Sequence, residues 1–212
     1  SLTPAVLIQK VIAAAGGKEA ISAIKDLQLK GTASVMGQSL DVNQTIIMPG
    51  NAVSVMSMGG MAIMKQSLVG GKYSVSQQGM EAPITDELKE SLDEAAVIIP
   101  EQTYMAKGYK LKIVGAEKVE GKDAIDMEVT TPSGKVSHRF YDATSYLLVK
   151  TAVSQEVPGQ GTVTQQQYYK AYKLVNGIQI ASEEVMDMGQ MKINIKYTDM
   201  KANQGLKVTD LK

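Results

Sequence analysis

The spacing of apolar positions changes once along the chain. Before Leu27 it is helical: Leu7, Ile8, Val11, Ile12 and Ala15 recur at three- and four-residue steps. Thr3-Pro4 supplies a side-chain cap and a proline at the first helical position, and Gly16-Gly17 closes the run. A second, shorter helix is predicted from Ala20 to Lys25, with Ile21 and Ile24 inward. From Leu27 onward apolar residues fall on alternate positions, the period of a half-buried strand.

The first hairpin is the most legible. With Gly37-Gln38 as its loop, the pairs become Val35/Leu40, Ala33/Val42, Leu29/Ile46 and Leu27/Met48. Met36/Ser39, Ser34/Asp41, Thr32/Asn43 and Lys30/Thr45 form the other, more polar face. One face apolar and one polar is the pattern that sets register. Turn signals then follow at Pro49-Gly50-Asn51, Gly59-Gly60 and Gly70-Gly71, so neighbouring antiparallel strands form a meander. A helix interrupts them. Thr85 caps it, Asp86, Glu87 and Glu90 sit near its positive end, Leu88, Leu92, Ala95, Ala96 and Ile99 form its apolar stripe, and Pro100 stops it. The segment after Pro100 can add another helical turn. Strands resume near Tyr109, separated by turns that include Glu120-Gly121, Pro132-Ser133-Gly134, Asn176-Gly177 and Gly189-Gln190. The total is about ten or eleven strands with helices at the start and middle, an α+β layout in one domain spanning residues 1–212.

Two hairpin tips carry methionines around a glycine, Val55–Met61 and Val185–Met191. In the second, Met186 is expected to face Ile193 and Met188 to face Met191 on the core side, opposite an Asp187–Lys192 pair. For the first, pairing Met48 with Val53 puts Val53, Val55, Met64, Leu68 and Val75 on the core face. Met56, Met58, Met61 and Ile63 then form an apolar patch on the opposite face, a candidate docking surface for a partner. A thioether copper site is the third possibility, but no cysteine or histidine stands nearby.

Composition narrows the chemistry. Lysine plus arginine and aspartate plus glutamate balance at 22 each, and Arg139 is the only arginine, which disfavours nucleic-acid and phosphate recognition. The absence of cysteine excludes disulfides and thiolate metal sites. The Ser1-Leu2-Thr3-Pro4 start has neither the charged nor the apolar segment of a targeting peptide. No apolar run is long enough to span a bilayer as a helix. His138 is the only histidine and makes neither a triad nor a typical zinc site; it shares a strand face with Val136 and Phe140. No nucleophile elbow, phosphate loop, dinucleotide fingerprint or zinc-peptidase motif occurs. Of the paired acids, Asp93-Glu94 lies on the polar side of the helix, and Glu183-Glu184 on a strand must point to opposite faces. The expectation is a non-enzyme without cofactor or metal.

Three longer stretches resemble LolA-like bacterial domains, the lipid-carrier and lipoprotein-sorting superfamily. These are AAAGGKEAISAIKDLQLKGTASV, VGAEKVEGKDAIDMEVTTPSGKVSHRFYDATSYLLVK and YKLVNGIQIA. The resemblance implies a strongly curved antiparallel half-barrel with helices over its concave face. It also implies a periplasmic or otherwise extracytoplasmic bacterial domain that binds a hydrophobic small molecule, acyl chain or lipoprotein. Similar segments are appended to pitrilysin-type zinc peptidase chains. The alternative is therefore an accessory domain that docks a peptidase domain or other protein and lacks the catalytic motif itself. For a ligand site, the face analysis nominates Val42, Ile46, Val55, Met64, Leu68 and Val75 on the sheet, lidded by Leu88, Leu92 and Ile99.

Overall fold

A computed structural model describes residues 1–211. The chain opens with α1 (Pro4–Ala14) and α2 (Lys18–Ser22). Strands β1 (Asp26–Val35), β2 (Gln38–Ile47), β3 (Asn51–Met58), β4 (Met61–Val69), β5 (Lys72–Gln77) and β6 (Met80–Glu81) follow. Helix α3 (Asp86–Ala95) and a 3₁₀ turn (Pro100–Thr103) interrupt the strands. Then come β7 (Lys110–Val119), β8 (Lys122–Thr130), β9 (Val136–Asp142), β10 (Leu148–Val157), β11 (Gly161–Val175), β12 (Ile178–Asp187) and β13 (Lys192–Ala202). All 13 strands join one open antiparallel sheet in the order β6-β5-β4-β3-β2-β1-β13-β12-β11-β10-β9-β8-β7. The sheet therefore holds more strands than the turn count suggested. It is two meanders joined where β1 pairs with β13, which brings the first and last strands together.

Local rules explain the helices. Thr3 Oγ1 accepts from the Val6 amide, and Thr85 Oγ1 from the Leu88 amide. Helix α1 buries Leu7, Ile8, Val11 and Ile12, and α3 buries Leu92 alone. The helices are short and cover less of the sheet than the resemblance implied.

The sheet must curl around α1. Ile8 and Ile12 pack with Leu29, Val42 and Leu68 from β1, β2 and β4. On the adjoining side of the same turns, Leu7 and Val11 pack with Tyr109, just before β7, and with Met127 and Tyr141 of β8 and β9, at the far end of the sheet. Leu111 of the edge strand β7 touches both clusters. Strands many positions apart in a flat sheet could not reach one 11-residue helix. The face carrying these residues is thus concave. Gly31 marks a register break against β13, where an added Cβ would lie 1.8 Å from the Lys196 carbonyl oxygen. Only glycine admits that approach.

Two registers differ from expectation, with different consequences. In the first hairpin Val35 pairs with Gln38 and Leu27 with Ile46, because Met36-Gly37, both at positive φ, form the loop. That is a shift of two residues from the expected pairs, so the faces survive. Across the next loop the shift is odd. Ile47 pairs with Asn51 and Thr45 with Val53, while the Met48 amide leaves the ladder and donates to the Lys25 carbonyl. Every side chain of β3 is thereby inverted relative to the expected faces. Val53 and Val55 lie on the outer face, and Met56 turns inward against the main core. A further break beside Met56, in its pairing with β4, lets Ile63 pack there too. The residues of the expected outer patch, Met56, Met58, Met61 and Ile63, therefore lie on the inner face instead, with Met56 and Ile63 against the main core and the Met58–Met61 pair exposed at the tip. The second methionine hairpin keeps its expected pairs, Met186 with Ile193 and Asp187 with Lys192.

Candidate functional site

Between the concave face and the segment from α3 through the 3₁₀ turn lies a chamber of about 490 Å³. That is the size range of small-molecule sites. Leu27, Leu29 and Ile46 form an apolar wall, Ile180 continues it on β12, and Ile98 and Ile99 close it from above. The lid is anchored on the sheet. Leu92 and Ala96 are buried in the main core, and the Tyr73 hydroxyl on β5 donates to Asp93 Oδ1 at 2.6 Å. That bond raises the Tyr73 pKa to about 12.

The opposite wall is polar, for a reason visible in the register. Arg139 pairs with Thr151 and Thr151 with Gln167, so one inward row crosses β9, β10 and β11. The next inward pair is Tyr169 with Glu184, on β11 and β12. All five line the chamber. Arg139 is committed to the lid: its Nη2 and Nε donate to Glu101 Oε1 at 2.6 and 3.1 Å. The Tyr141 hydroxyl donates to the same oxygen at 2.9 Å. Glu101 is 4 % exposed. Burial opposes the Arg139 charge, but Glu101 overcomes it and holds the guanidinium well above its usual pKa. Tyr104 lies under the guanidinium at 5.8 Å and stacks on Tyr109 with centroids 4.6 Å apart.

Among the described residues neither of the two remaining inward carboxyls is in a salt bridge, although Arg139 and Lys107 lie near enough to Glu94 to act on its pKa. Glu184 accepts one hydrogen bond, from Gln167 Nε2 at 2.9 Å, and burial raises its pKa to about 7. Glu94 accepts from the Tyr109 hydroxyl at 3.2 Å. Burial raises its pKa too, opposed by Arg139 and by that hydrogen bond. Among the described residues no group of three or more His, Asp or Glu side chains is arranged to hold a metal ion. None of their helices is long and apolar enough to cross a membrane.

Of the nine nominated lining residues, Ile46 and Ile99 reach the chamber. Val42, Leu68 and Leu92 are buried in the main core beside it, and Val75 and Leu88 pack at that core's margin. Met64 is 37 % exposed near the β3–β4 tip, and Val55 lies on the outer face. Met58 and Met61 stand exposed at the tip itself. His138 sits on the outer face, where Nδ1 lies 2.8 Å from Asp126 Oδ1, and takes no part in the chamber. Arg139, Glu101 and Glu184 were not nominated. One signal could have found Glu184: the correctly read hairpin pairs Met186 with inward Ile193, and Glu184 is two positions along the same strand.

No protein-family model matches the chain, and no curated protein sequence matches it. Solved structures do resemble it. A DUF1329 family protein from Desulfovibrio piger is 10 % identical with a TM-score of 0.68, covering 100 % of this chain and 98 % of its own. A LolA superfamily protein from Nitrosomonas europaea is also 10 % identical, with a TM-score of 0.66 and the same coverage. A domain from Vibrio parahaemolyticus, named for outer membrane lipoprotein sorting, is 14 % identical with a TM-score of 0.56, covering 98 % of this chain and 97 % of its own. The fold is LolA-like.

Proposed function

We propose that this is a non-catalytic, extracytoplasmic binding domain that holds a lipid, an acyl chain or the lipid-modified end of a lipoprotein. The observation that carries this reading is the chamber: about 490 Å³ with a branched-aliphatic wall on β1, β2 and β12, covered on one side by a segment that is itself pinned to the sheet and open to solvent elsewhere. A side-chain-filled core would leave no such space. The likeness to a LolA superfamily protein and to a domain named for lipoprotein sorting supports the same reading and the extracytoplasmic address. Native mass spectrometry of gently purified protein tests it. An adduct of lipid mass, or one formed with added lipid, is expected. Failure of both would overturn the reading.

A second reading, an accessory domain docking a pitrilysin-type zinc peptidase or other protein, draws on the exposed Met58 and Met61 at the β3–β4 tip. It predicts that Met58→Lys with Met61→Lys abolishes association with that partner while folding is kept. Unchanged association in the folded variant would eliminate this surface.

A further inference from the structure

The chamber's charges are not balanced. Five carboxylates line it, Glu87, Glu90, Glu94, Glu101 and Glu184, against two cations, Lys135 and Arg139. Both cations already have acidic neighbours. Arg139 is held by Glu101. Lys135 lies close enough to Glu90 to lower its pKa, and Glu90 also accepts from the Ser133 amide and hydroxyl. An anionic ligand head would have to displace Glu101 from three donated hydrogen bonds, or face Glu94 and Glu184, neither of which is in a salt bridge among the described residues. A head that donates hydrogen bonds meets the opposite situation. Glu184 receives a single hydrogen bond, from Gln167, and borders open space; Glu94 receives a single one, from Tyr109. A buried carboxyl gains from each further donor it acquires.

We propose that the chamber selects amphiphiles whose polar end is an N–H or O–H donor without negative charge, such as a long-chain amine or alcohol, and discriminates against carboxylate and phosphate ends. The selection rests on the chamber being a ligand site, and it assigns Glu184 and Glu94 as the residues that read the head. The raised pKa values of both agree with this arrangement, since burial leaves each carboxylate short of partners.

The test compares dodecylamine, dodecanol and laurate as displacers of Nile red, a neutral apolar dye, at pH 7.5. Dodecylamine and dodecanol are expected to displace it at concentrations about tenfold below laurate, the effect of about 1.4 kcal/mol. An advantage for the amine alone would assign charge pairing as the source. An advantage for both would assign hydrogen-bond donation. Glu184→Gln with Glu94→Gln should collapse the amine-over-laurate ratio toward one in a variant whose circular dichroism shows that it remains folded. Laurate binding as tightly as the amine and alcohol would overturn the selection and leave the chamber's ligand role standing. So would a ratio unchanged in a folded double variant. If neither Nile red nor any of the three amphiphiles bound, and native mass spectrometry showed no adduct, the ligand-site reading itself would fall.

Discussion

On β2 and β4 the inward positions Val42 and Leu68 are buried in one cluster with Ile24, Leu92 and Ala96, while Leu27, Leu29 and Ile46 of the same cluster form its border with the chamber. On β9 to β12 the inward positions include Arg139, Thr151, Gln167, Tyr169 and Glu184, and beside them the space stays open. Both halves follow the same alternation on one continuous sheet. The difference lies in what side chains do once they point inward. Aliphatic groups have no directional demands and close on each other to crystal-like density. Buried polar groups are held where their hydrogen bonds put them, and a guanidinium fixed to Glu101 and Tyr141 cannot move to fill a void. The chamber sits where one regime meets the other.

Cutting the polar half should cost most. Glu101→Ala leaves Arg139 buried without the carboxylate it is hydrogen-bonded to, and a loss of about 3–5 kcal/mol is expected from urea unfolding. Replacing both partners with apolar groups, Glu101→Leu with Arg139→Met, should recover most of that loss. If the single variant matched wild type, the polar wall would not be held by this pair.

Shaving the two apolar linings separates them. Leu92→Ala opens a cavity in filled core and should cost about 2–4 kcal/mol. Ile99→Ala, whose side chain already borders open space, should cost less than half as much. Equal losses would mean that the chamber is collapsed in solution.

Glu184 gives a subtler probe. Its pKa stands near 7 in the folded protein against 4.5 for an unburied glutamate. The native state therefore binds more protons than the unfolded state between these values. Stability should fall as pH rises through that window and level off above it, with a loss of about 3 kcal/mol. Glu90 and Asp142, whose pKa values are lowered, act in the opposite direction, so the informative quantity is the difference between wild type and Glu184→Gln. The variant should gain on wild type from pH 5 to pH 8. A difference that stays flat with pH would show that Glu184 is solvated rather than buried.

What the sequence disclosed follows the same divide. Alternation, caps and glycine turns revealed the helices, the meander and the faces of β1 and β2, because those signals are local and apolar. The inverted β3 escaped because parity had to be carried across Pro49, where one residue of difference moves Val55 from one face to the other. The polar wall escaped for a different reason. An arginine and a glutamate on strands are read as outward by default, and only their partners on distant elements make them inward. Arg139 and Glu101 are separated by 38 positions. The lid was located correctly as an element, and Ala95 and Ile99 of its expected stripe do line the chamber, but Leu92 and Ala96 are buried in the core and Ile98, outside the stripe, lines the chamber too.

The two methionine tips provide the smallest expected effect. Met186 packs against the main core, and the Met188 amide donates to the Met191 carbonyl to close its tip. At the other tip, Met58 is 39 % exposed and Met61 71 % exposed beyond the two glycines of their loop. At both tips the first methionine, Met56 or Met186, packs against the main core, and the tips differ in how far the methionines flanking the loop are exposed. Met61→Lys, alone or with Met58→Lys, removes little buried contact and should change stability by no more than about 0.5 kcal/mol in thermal unfolding. A larger loss would mean that these side chains pack against something in the folded monomer, and the tip could no longer serve as a free surface for a partner.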